Sequence, residues 1–267
     1  MSLELHKIRH LVLDMDGTIY SGCTLFDCTA PFLGLLKDLG IGYTFVTNNS
    51  SSGIEDYVDK LKRMGIPATR SEIYTSTDAV IEYLGAHLPS VRRLWLLGTP
   101  SMARHLESAG YAIHDEEPEA VVVGFDTGLT YDRLCRAAWW ISQGIPFIAS
   151  HPDRVCPTDQ PTVLVDCGAI SDCLTTATGI SPIVLGKPSP RMLDGVCRRY
   201  ELSPVQLGVV GDRLYTDIDM AQRAGAASVL VLTGETTAEE AALHDPPPDL
   251  IAQDLCEFGR LLHEAQR

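Results

Sequence analysis

The sequence has little positive charge. Its 267 residues contain 21 Lys and Arg against 35 Asp and Glu, which gives a formal net charge of −14 at pH 7. A broad nucleic-acid interface needs a basic face that displaces counterions from the phosphates. An anionic membrane surface likewise attracts basic segments. We therefore expect neither a nucleic acid nor a membrane as a partner.

Long apolar runs are also absent. No stretch approaches the roughly 18 apolar residues that are needed to cross a bilayer. The first residues, MSLELHKIRHLVLDMDG, contain acidic side chains within their apolar part and lack the uninterrupted apolar stretch of a signal peptide. The expected location is the cytoplasm.

The cysteines and histidines form no recognisable metal-binding pattern. The eight cysteines contain no CxxC pair, and the eight histidines contain no HExxH. In a chain of this size without a secretory signal, scattered cysteines are expected to be buried apolar residues or free thiols. A bound metal ion would therefore have oxygen ligands. The motifs of nucleotide P-loops, dinucleotide-binding loops and serine hydrolases are absent as well.

Short β-branched runs alternate with helical patterns, which predicts an α/β fold of parallel strands joined by crossover helices. In the outer parts of the chain we predict strands at 10–14, 42–47, 183–186, 207–211, 228–232 and 249–252, and helices at 30–39, 54–64, 190–200, 217–224 and 254–265. The middle part has strands at 93–97, 120–124 and 146–149, and helices at 78–87, 101–109, 131–143 and 171–178. About 100 residues can carry their own core. We predict a domain at 78–180 inserted into an outer domain of 1–77 plus 181–267.

Acidic residues follow two of the predicted outer strands. Asp14 and Asp16 end the first, beside Gly17, and Asp212 and Asp217 follow strand 207–211. The carboxyl ends of parallel strands are where ligands bind, and hard carboxylate oxygens suit Mg²⁺. Each acid also has a purely structural interpretation: Asp14 as a solvated strand end or helix cap, and Asp217 as a first-turn acid that complements a helix dipole.

Two further strand ends carry polar groups that suit an anion. Strand 42–47 ends in Thr47, Asn48 and Asn49, which offer a hydroxyl, amides and backbone N–H groups. Strand 183–186 ends in Gly186 and Lys187, although a lysine in such a turn could equally be a surface residue. The four strand ends together are more specific than any one of them.

In these motifs the sequence resembles the haloacid dehalogenase (HAD) superfamily, and within it the NagD-like, or p-nitrophenyl phosphatase, branch (subfamily IIA). The matching segments are DMDGT at 14–18, FVTNNS at 45–50, GKPSP at 186–190 and GDRLYTD at 211–217. The resemblance implies a Rossmann-like, doubly wound parallel sheet as the catalytic core and an inserted α/β cap domain that sets substrate specificity. It also implies that related caps mediate dimers, so a homodimer through the cap is a candidate assembly.

The resemblance implies a Mg²⁺-dependent phosphatase that acts on a small phosphorylated metabolite such as a sugar or polyol phosphate. Asp14 would attack phosphorus and form an aspartyl-phosphate, and Asp16 would serve as general acid and base. The implied phosphate-binding residues are Thr47, Asn48, Asn49 and Lys187, and the implied metal-binding residues are Asp14, Asp16, Asp212 and Asp217. A phosphotransferase with the same intermediate and a non-catalytic phospholigand-binding protein are the alternatives.

The cap would recognise the leaving group through Asp126 and His151. His151 stands where the related branch commonly has Asn, and Asp166-Cys167-Gly168 stands where relatives carry a more Gly-rich turn. His151 could instead belong to a capped turn before a proline. Trp139 and Trp140 lie within a helical pattern, which favours the cap core or a dimer face over a stacking platform.

Overall fold

The structure, a computed structural model, describes residues 4–113, 116–156 and 161–266. Over these residues the strands are, in chain order, β1 (His10–Leu13), β2 (Tyr20–Ser21), β3 (Thr24–Leu25), β4 (Gly42–Thr47), β5 (Ile73–Thr75), β6 (Arg93–Leu97), β7 (Ala112–Ile113), β8 (Ala120–Val123), β9 (Phe147–Ala149), β10 (Val155–Cys156), β11 (Leu164–Val165), β12 (Ile183–Val184), β13 (Leu207–Gly211), β14 (Ala227–Val231) and β15 (Leu250–Ala252). The α-helices are α1 (Thr29–Leu39), α2 (Ile54–Arg63), α3 (Ser76–His87), α4 (Pro100–Ser108), α5 (Tyr131–Ser142), α6 (Cys167–Thr178), α7 (Arg191–Tyr200), α8 (Asp219–Ala224), α9 (Ala238–Leu243) and α10 (Leu255–Ala265).

The chain divides into two compact units. The first comprises the residues up to Thr47, Glu55–Tyr74 and the residues from Pro188 onward, and the second comprises Asn48–Ile54 and Thr75–Lys187. The division into functional domains at 77/78 and 180/181 stays a prediction. Segment 48–54 groups spatially with the second unit, which the sequence did not indicate.

The first unit is built on a six-stranded sheet in the order β15-β14-β13-β1-β4-β5. β1 pairs in parallel with β13 on one side and β4 on the other, so that His10 faces both Leu207 and Gly42. All residues of β1 and β13 are buried, which explains why both read as continuous apolar runs. The chain proceeds from β1 to β4 in one direction and from β13 to β14 in the other. The β1–β13 pair is therefore the switch point of the sheet.

Cys28 and Cys256 in the first unit form a disulfide bond. The expectation that the cysteines are thiols or buried apolar residues is wrong for this pair. Cys28 directly precedes α1, Cys256 lies in α10, and these two helices pack against each other. Tertiary packing brings together two cysteines that are 228 residues apart in the sequence, a separation at which no spacing rule applies.

The second unit has a five-stranded sheet in the order β12-β9-β8-β6-β7. Its core lies between this sheet and α5 and α6 and includes Trp95, Val121, Ile141 and Phe147. Helices α4, α5 and α6 begin after Thr99, Thr130 and Asp166, whose side chains accept backbone N–H groups of the first turn.

The strand predicted at 183–186 belongs to a different sheet from the one expected. Ile183 and Val184 pair in parallel with Ile148 and Ala149 of β9, so this strand extends the sheet of the second unit and not that of β1. The apolar pattern identified a strand but could not identify its neighbour, because any parallel sheet buries such a run.

Several short elements could not be predicted from the sequence pattern. The helix predicted at 217–224 is preceded by a π-helical turn at Leu214–Ile218, and the one predicted at 171–178 begins already at Cys167. The hairpins β2–β3 and β10–β11 and the edge strands β5 and β7 were not predicted. Their two or three residues are too few to show a period.

Trp139 is 60% exposed on α5, whereas Trp140 packs against the core of the second unit. Among the helices of the described ranges, none is both long and apolar enough to span a membrane.

Candidate active site

Three carboxylates converge at the carboxyl edge of the first unit's sheet. Asp14 follows β1, Asp212 follows β13, and Asp217 lies in the next turn; one oxygen of each lies within 4.8 Å of the others. Asp212 and Asp217 are each only 1% exposed. Because the chain leaves β1 and β13 in opposite directions, a crevice opens between their carboxyl ends. We call this group the acid triad.

Glycines allow the backbone to approach Asp212 closely. A Cβ atom at Gly17 would lie 2.4 Å from Asp212 Oδ2, and one at Gly234 would lie 2.0 Å from it. Gly17 also has a φ of +90°, which L-residues rarely adopt. The Thr233 hydroxyl donates to the Gly17 carbonyl at 2.6 Å. Two loops that carry glycines therefore enclose the Asp212 carboxylate.

Asp217 is placed by the π-helical turn that precedes α8. A Cβ atom at Gly211 would lie 2.3 Å from Cβ and Cγ of Asp217. The neighbouring Thr216 hydroxyl donates to Asp217 Oδ2 at 3.1 Å. π-Helical turns occur frequently at functional sites, and this one turns a buried acid toward the triad instead of leaving it as a first-turn residue on the surface.

Arg213 and Glu235 were not identified from the sequence. The Glu235 backbone N–H donates to Asp212 Oδ2 at 2.7 Å. Its carboxylate lies 2.9 Å from Arg213 Nε and accepts the Tyr215 hydroxyl at 2.8 Å. Burial alone would lower the pKa of Arg213, but the charges of Asp212, Tyr215, Glu235 and Asp14 raise it. The available signal for Glu235 was its position just after the strand predicted at 228–232.

The side chain of Asp16 does not belong to the acid triad. Its side chain is exposed, and its Oδ1 accepts the backbone N–H of Gly22 at 3.1 Å. Nearby Tyr20 is buried, and burial raises its pKa, with further contributions from Tyr57, Asp16 and Asp14.

The residues at the end of β4 and just after it are divided between the two units. Thr47 ends the strand in the first unit and is half-buried. Asn49 accepts the backbone N–H and the hydroxyl of Ser51 at 2.8 and 2.6 Å. Asn48 is buried in the second unit and is joined to Lys187 by two hydrogen bonds: Asn48 Nδ2 donates to the Lys187 carbonyl at 2.9 Å, and the Lys187 N–H donates to Asn48 Oδ1 at 2.8 Å.

The two predicted cap contacts are both buried in the second unit. The Asp126 side chain is 1% exposed, pairs with Arg133 at 2.9 Å and accepts the Gly128 N–H at 2.9 Å. His151 is fully buried between Asp153 and Asp166. The structure thus brings Asp14, Asp212 and Asp217 together in one unit, and it brings Asn48, His151 and Lys187 together in the other, with Asp126 in a separate ion pair.

The acid triad fits a magnesium ion by its donor chemistry. It offers only carboxylate oxygens, which Mg²⁺ prefers, and Mg²⁺ keeps several waters, so three protein ligands are sufficient. Gathering three acids without a cation would be unfavourable. The glycine cradle around Asp212 leaves no room for a side chain beside that carboxylate. Over the described residues, a second cluster of metal-ligand type consists of Asp254 and the disulfide-bonded Cys28 and Cys256.

The sequence is similar to known proteins over nearly its whole length. Residues 11–112 match the family model of haloacid dehalogenase-like hydrolases, and residues 184–258 match a HAD-hydrolase-like model. The acid sugar phosphatase of Staphylococcus saprophyticus is 32% identical over 261 residues, which cover 97% of this chain and 100% of that protein.

Solved structures agree over nearly the whole chain. The 4-nitrophenylphosphatase of Thermotoga maritima superposes with a TM-score of 0.90 at 38% identity, covering 96% of this chain and 98% of the other. A glycerol phosphate phosphatase from Mycobacterium tuberculosis, crystallised in complex with magnesium, gives a TM-score of 0.88 at 30% identity, covering 97% of this chain and 79% of the other.

The fold, the acid triad and these similarities define the class: the chain belongs to the haloacid dehalogenase superfamily of hydrolases. Within it, the chain is a member of the NagD/p-nitrophenyl phosphatase family, subfamily IIA, and a phosphoric monoester hydrolase.

Proposed function

We propose that this protein is a magnesium-dependent phosphatase that hydrolyses a small phosphorylated metabolite of the sugar or polyol phosphate class. The observation that carries the proposal is the acid triad at the switch point of the sheet. The substrate class is supported by two relatives, which are described as an acid sugar phosphatase and a glycerol phosphate phosphatase.

Asp14 is the proposed nucleophile. A phosphate monoester repels nucleophiles through its own negative charge, so positioning and charge neutralisation dominate catalysis. Attack by the Asp14 carboxylate on phosphorus forms an aspartyl-phosphate and breaks the bond to the leaving alkoxide. This divides a difficult hydrolysis into two easier steps.

Asp16 is the proposed general acid and base. In the first step its carboxyl group donates a proton to the leaving oxygen. In the second step the carboxylate takes a proton from the water that attacks the aspartyl-phosphate. The exposed side chain of Asp16, which accepts the Gly22 N–H at 3.1 Å, is compatible with this role.

Asp14, Asp212 and Asp217 would hold the magnesium ion through their carboxylates, together with the backbone carbonyl of Asp16. When bound, the ion supplies positive charge that offsets the phosphate oxygens and the surrounding carboxylates. Asp217 is buried against Gly211, and this packing would help to fix the positions of the metal ligands.

Thr47, Asn48, Asn49 and Lys187 are the proposed phosphate-binding residues, and Asp126 and His151 remain proposed contacts for the leaving group. The burial of Asn48 and Lys187 and the two hydrogen bonds that join them support a fixed, preorganised geometry for this part of the chain. Asp126 is instead held by an ion pair with Arg133. A direct test of its contact with the leaving group is therefore needed.

The first experiment measures phosphate release from p-nitrophenyl phosphate, from several sugar phosphates and from glycerol 3-phosphate, with and without Mg²⁺. The wild-type chain and the Asp14→Asn variant are compared. We expect release that depends on Mg²⁺ and that is lost in the variant, because an amide cannot form the aspartyl-phosphate.

The matched control is Asp38→Asn, which neutralises an exposed carboxylate of α1 in the same unit. This control should retain wild-type turnover. Turnover that survives in Asp14→Asn would disprove the nucleophile assignment. Release from p-nitrophenyl phosphate but from no sugar or polyol phosphate would disprove the substrate class.

A further inference from the structure

His151 lies in a fully buried cluster of charged side chains within the second unit. Its Nδ1 lies 3.3 Å from Asp153 Oδ2, and its Nε2 lies 3.5 Å from Asp166 Oδ1. The imidazole ring itself is 0% exposed. Both ring nitrogens therefore lie within ion-pair distance of a carboxylate oxygen, although Nδ1 makes no hydrogen bond with a described residue, and only the imidazolium form carries an N–H on each nitrogen.

Asp153 is held in its ionised form by several neighbours. Burial would raise its pKa, but His151, Asn48 and Lys187 outweigh burial, and the pKa is lowered. Asn48 Nδ2 donates to both oxygens of Asp153, at 3.1 and 3.3 Å. An amide that donates to two carboxylate oxygens favours the charged carboxylate.

Asp166 occupies the N-terminal cap of α6. Its Oδ1 accepts the Cys167 backbone N–H at 2.6 Å, and the positive end of the helix dipole favours a negative charge there. Burial nevertheless raises the pKa of Asp166, while His151 and the Cys167 amide oppose the rise. A cation at His151 is thus the neighbour that this carboxylate needs in order to remain ionised.

We propose that His151 is a buried imidazolium held between Asp153 and Asp166, and that it positions Lys187 through Asp153 and Asn48. This inference rests on the proposed function in so far as Lys187 is taken to bind the phosphoryl group. His151 is a positioning residue in this scheme: its ring is fully buried, so it acts through Asp153, and this role replaces the direct contact with the leaving group that the sequence suggested.

The connection to Lys187 runs through the carboxamide of Asn48. One face of the amide is fixed by Asp153, and the amide bonds the backbone of Lys187 in both directions, at 2.9 and 2.8 Å. A Cβ atom at Gly186 would lie 2.6 Å from Asn48 Oδ1 and 2.7 Å from His151 Cβ. The histidine, the amide and the chain before Lys187 are packed without spare room, so a shift of one displaces the others.

Among the described residues, the other groups beside the ring are a hydroxyl and a thiol. The Ser50 hydroxyl lies 3.5 Å from Nε2. The Cys167 thiol is buried, which raises its pKa to about 11, and the His151 backbone N–H donates to it. The charged groups associated with His151 are therefore Asp153 on its own loop, Asp166 at the start of α6, and Lys187 on the segment after β12.

The first test reads the charge of His151 directly. The ¹⁵N shifts of the ring nitrogens are recorded in uniformly labelled protein at pH 7, and the His151 signals are identified as those lost in His151→Asn. We expect both nitrogens to be protonated. A spectrum with one unprotonated ring nitrogen at pH 7 would overturn the proposal, whatever the enzyme does.

The second test measures kcat and KM for the best substrate in His151→Asn, in Asp166→Asn and in the double variant. His151→Asn removes the cation between Asp153 and Asp166, so kcat should fall on the order of 10- to 100-fold with a smaller change in KM. The double variant removes one of these carboxylates and should recover part of the lost kcat. A role in packing alone predicts no recovery of kcat when Asp166 is neutralised as well, because removing a negative charge repairs no packing defect.

Unchanged kcat in His151→Asn, or a double variant that is as impaired as the sum of the single ones, would overturn the positioning role. Circular dichroism of each variant shows whether the fold is retained. If the wild-type chain hydrolyses no ester, the proposed function fails together with the positioning role, while the NMR measurement still decides the charge of His151.

Discussion

The two units bury acidic side chains in opposite ways. The first unit gathers Asp14, Asp212 and Asp217 within a few ångströms of one another at a sheet edge. The second places Asp153 and Asp166 on either side of a histidine. The first group has three acids near one arginine, Arg213, whereas in the arrangement proposed above a histidine offsets the two acids of the second.

This difference follows from what each group must do. A carboxylate that is paired with an internal cation attracts a metal ion less strongly, because the cation offsets its charge. A carboxylate cluster that awaits a cation needs to be held in place by other means. In the first unit these are the Glu235 amide, the close-packed glycines and the π-helical turn before α8.

The largest expected effect comes from neutralising one acid in each group. Asp212→Asn should lower turnover on the order of 100- to 1000-fold, because it removes a charge from the acid triad. It should also abolish the rise in Tm that Mg²⁺ causes in the wild type, which is about 5–10 °C when the ion is present at about 100 times its Kd. Thermal unfolding with and without Mg²⁺ measures the second effect independently of activity.

Asp166→Asn is the counterpart in the second unit. It should unfold at a lower temperature than the wild type but keep the full Mg²⁺-dependent rise in Tm. If Asp166→Asn lost the rise, or if Asp212→Asn kept it, the assignment of the metal to the acid triad would be wrong.

The second prediction addresses how the triad is held. Gly234→Ala should lower kcat by roughly 100-fold, since its Cβ atom would lie 2.0 Å from Asp212 Oδ2 and would push the carboxylate out of place. Gly34→Ala is the matched control, because its Cβ atom meets nothing within 4 Å on a helix of the same unit. Equal activity of the two variants would show that the close approach of Gly234 is not required.

Much of this arrangement could be predicted from the sequence. Apolar runs located β1, β4 and β13, and the sheet rule for parallel strands then placed Asp14 and Asp212 together at one edge. The family was identified correctly from the four motifs, and the comparisons confirm it.

The parts that were missed depend on tertiary packing. Glu235 acts through its backbone amide, which carries no residue-specific signal, and its effect on Asp212 needs the loop after β14 to fold back. The Cys28–Cys256 bond depends on the packing of α1 against α10. The sheet membership of β12 depends on which strand lies beside it. None of these follows from local periodicity.

The smallest expected effect concerns a second buried histidine, which sharpens the contrast with His151. His10 in β1 contacts neutral groups in the described structure: its Nε2 lies 2.8 Å from the Thr44 hydroxyl, and its ring centroid lies 4.1 Å from that of Tyr200. Burial lowers the pKa of His10 to about 4. A buried histidine without a carboxylate partner is thus neutral, whereas one with two such partners is expected to be charged.

The consequence is a loss of stability on the acid side. His10 has a pKa of 6.5 in the unfolded chain and of about 4 in the folded chain. Between these values the unfolded chain is protonated at His10 and the folded chain is not, so stability falls as the pH decreases. At pH 5 the loss should amount to about 2 kcal/mol.

His10→Gln, which cannot titrate, should lose less stability than the wild type between pH 7 and pH 5 in urea unfolding. Between pH 7 and pH 8 the difference between the two proteins should stay constant, since His10 is neutral there in both states. Parallel pH dependence of the two proteins down to pH 5 would mean that His10 is protonated in the folded state, and the contrast between neutral and charged buried histidines would then fail.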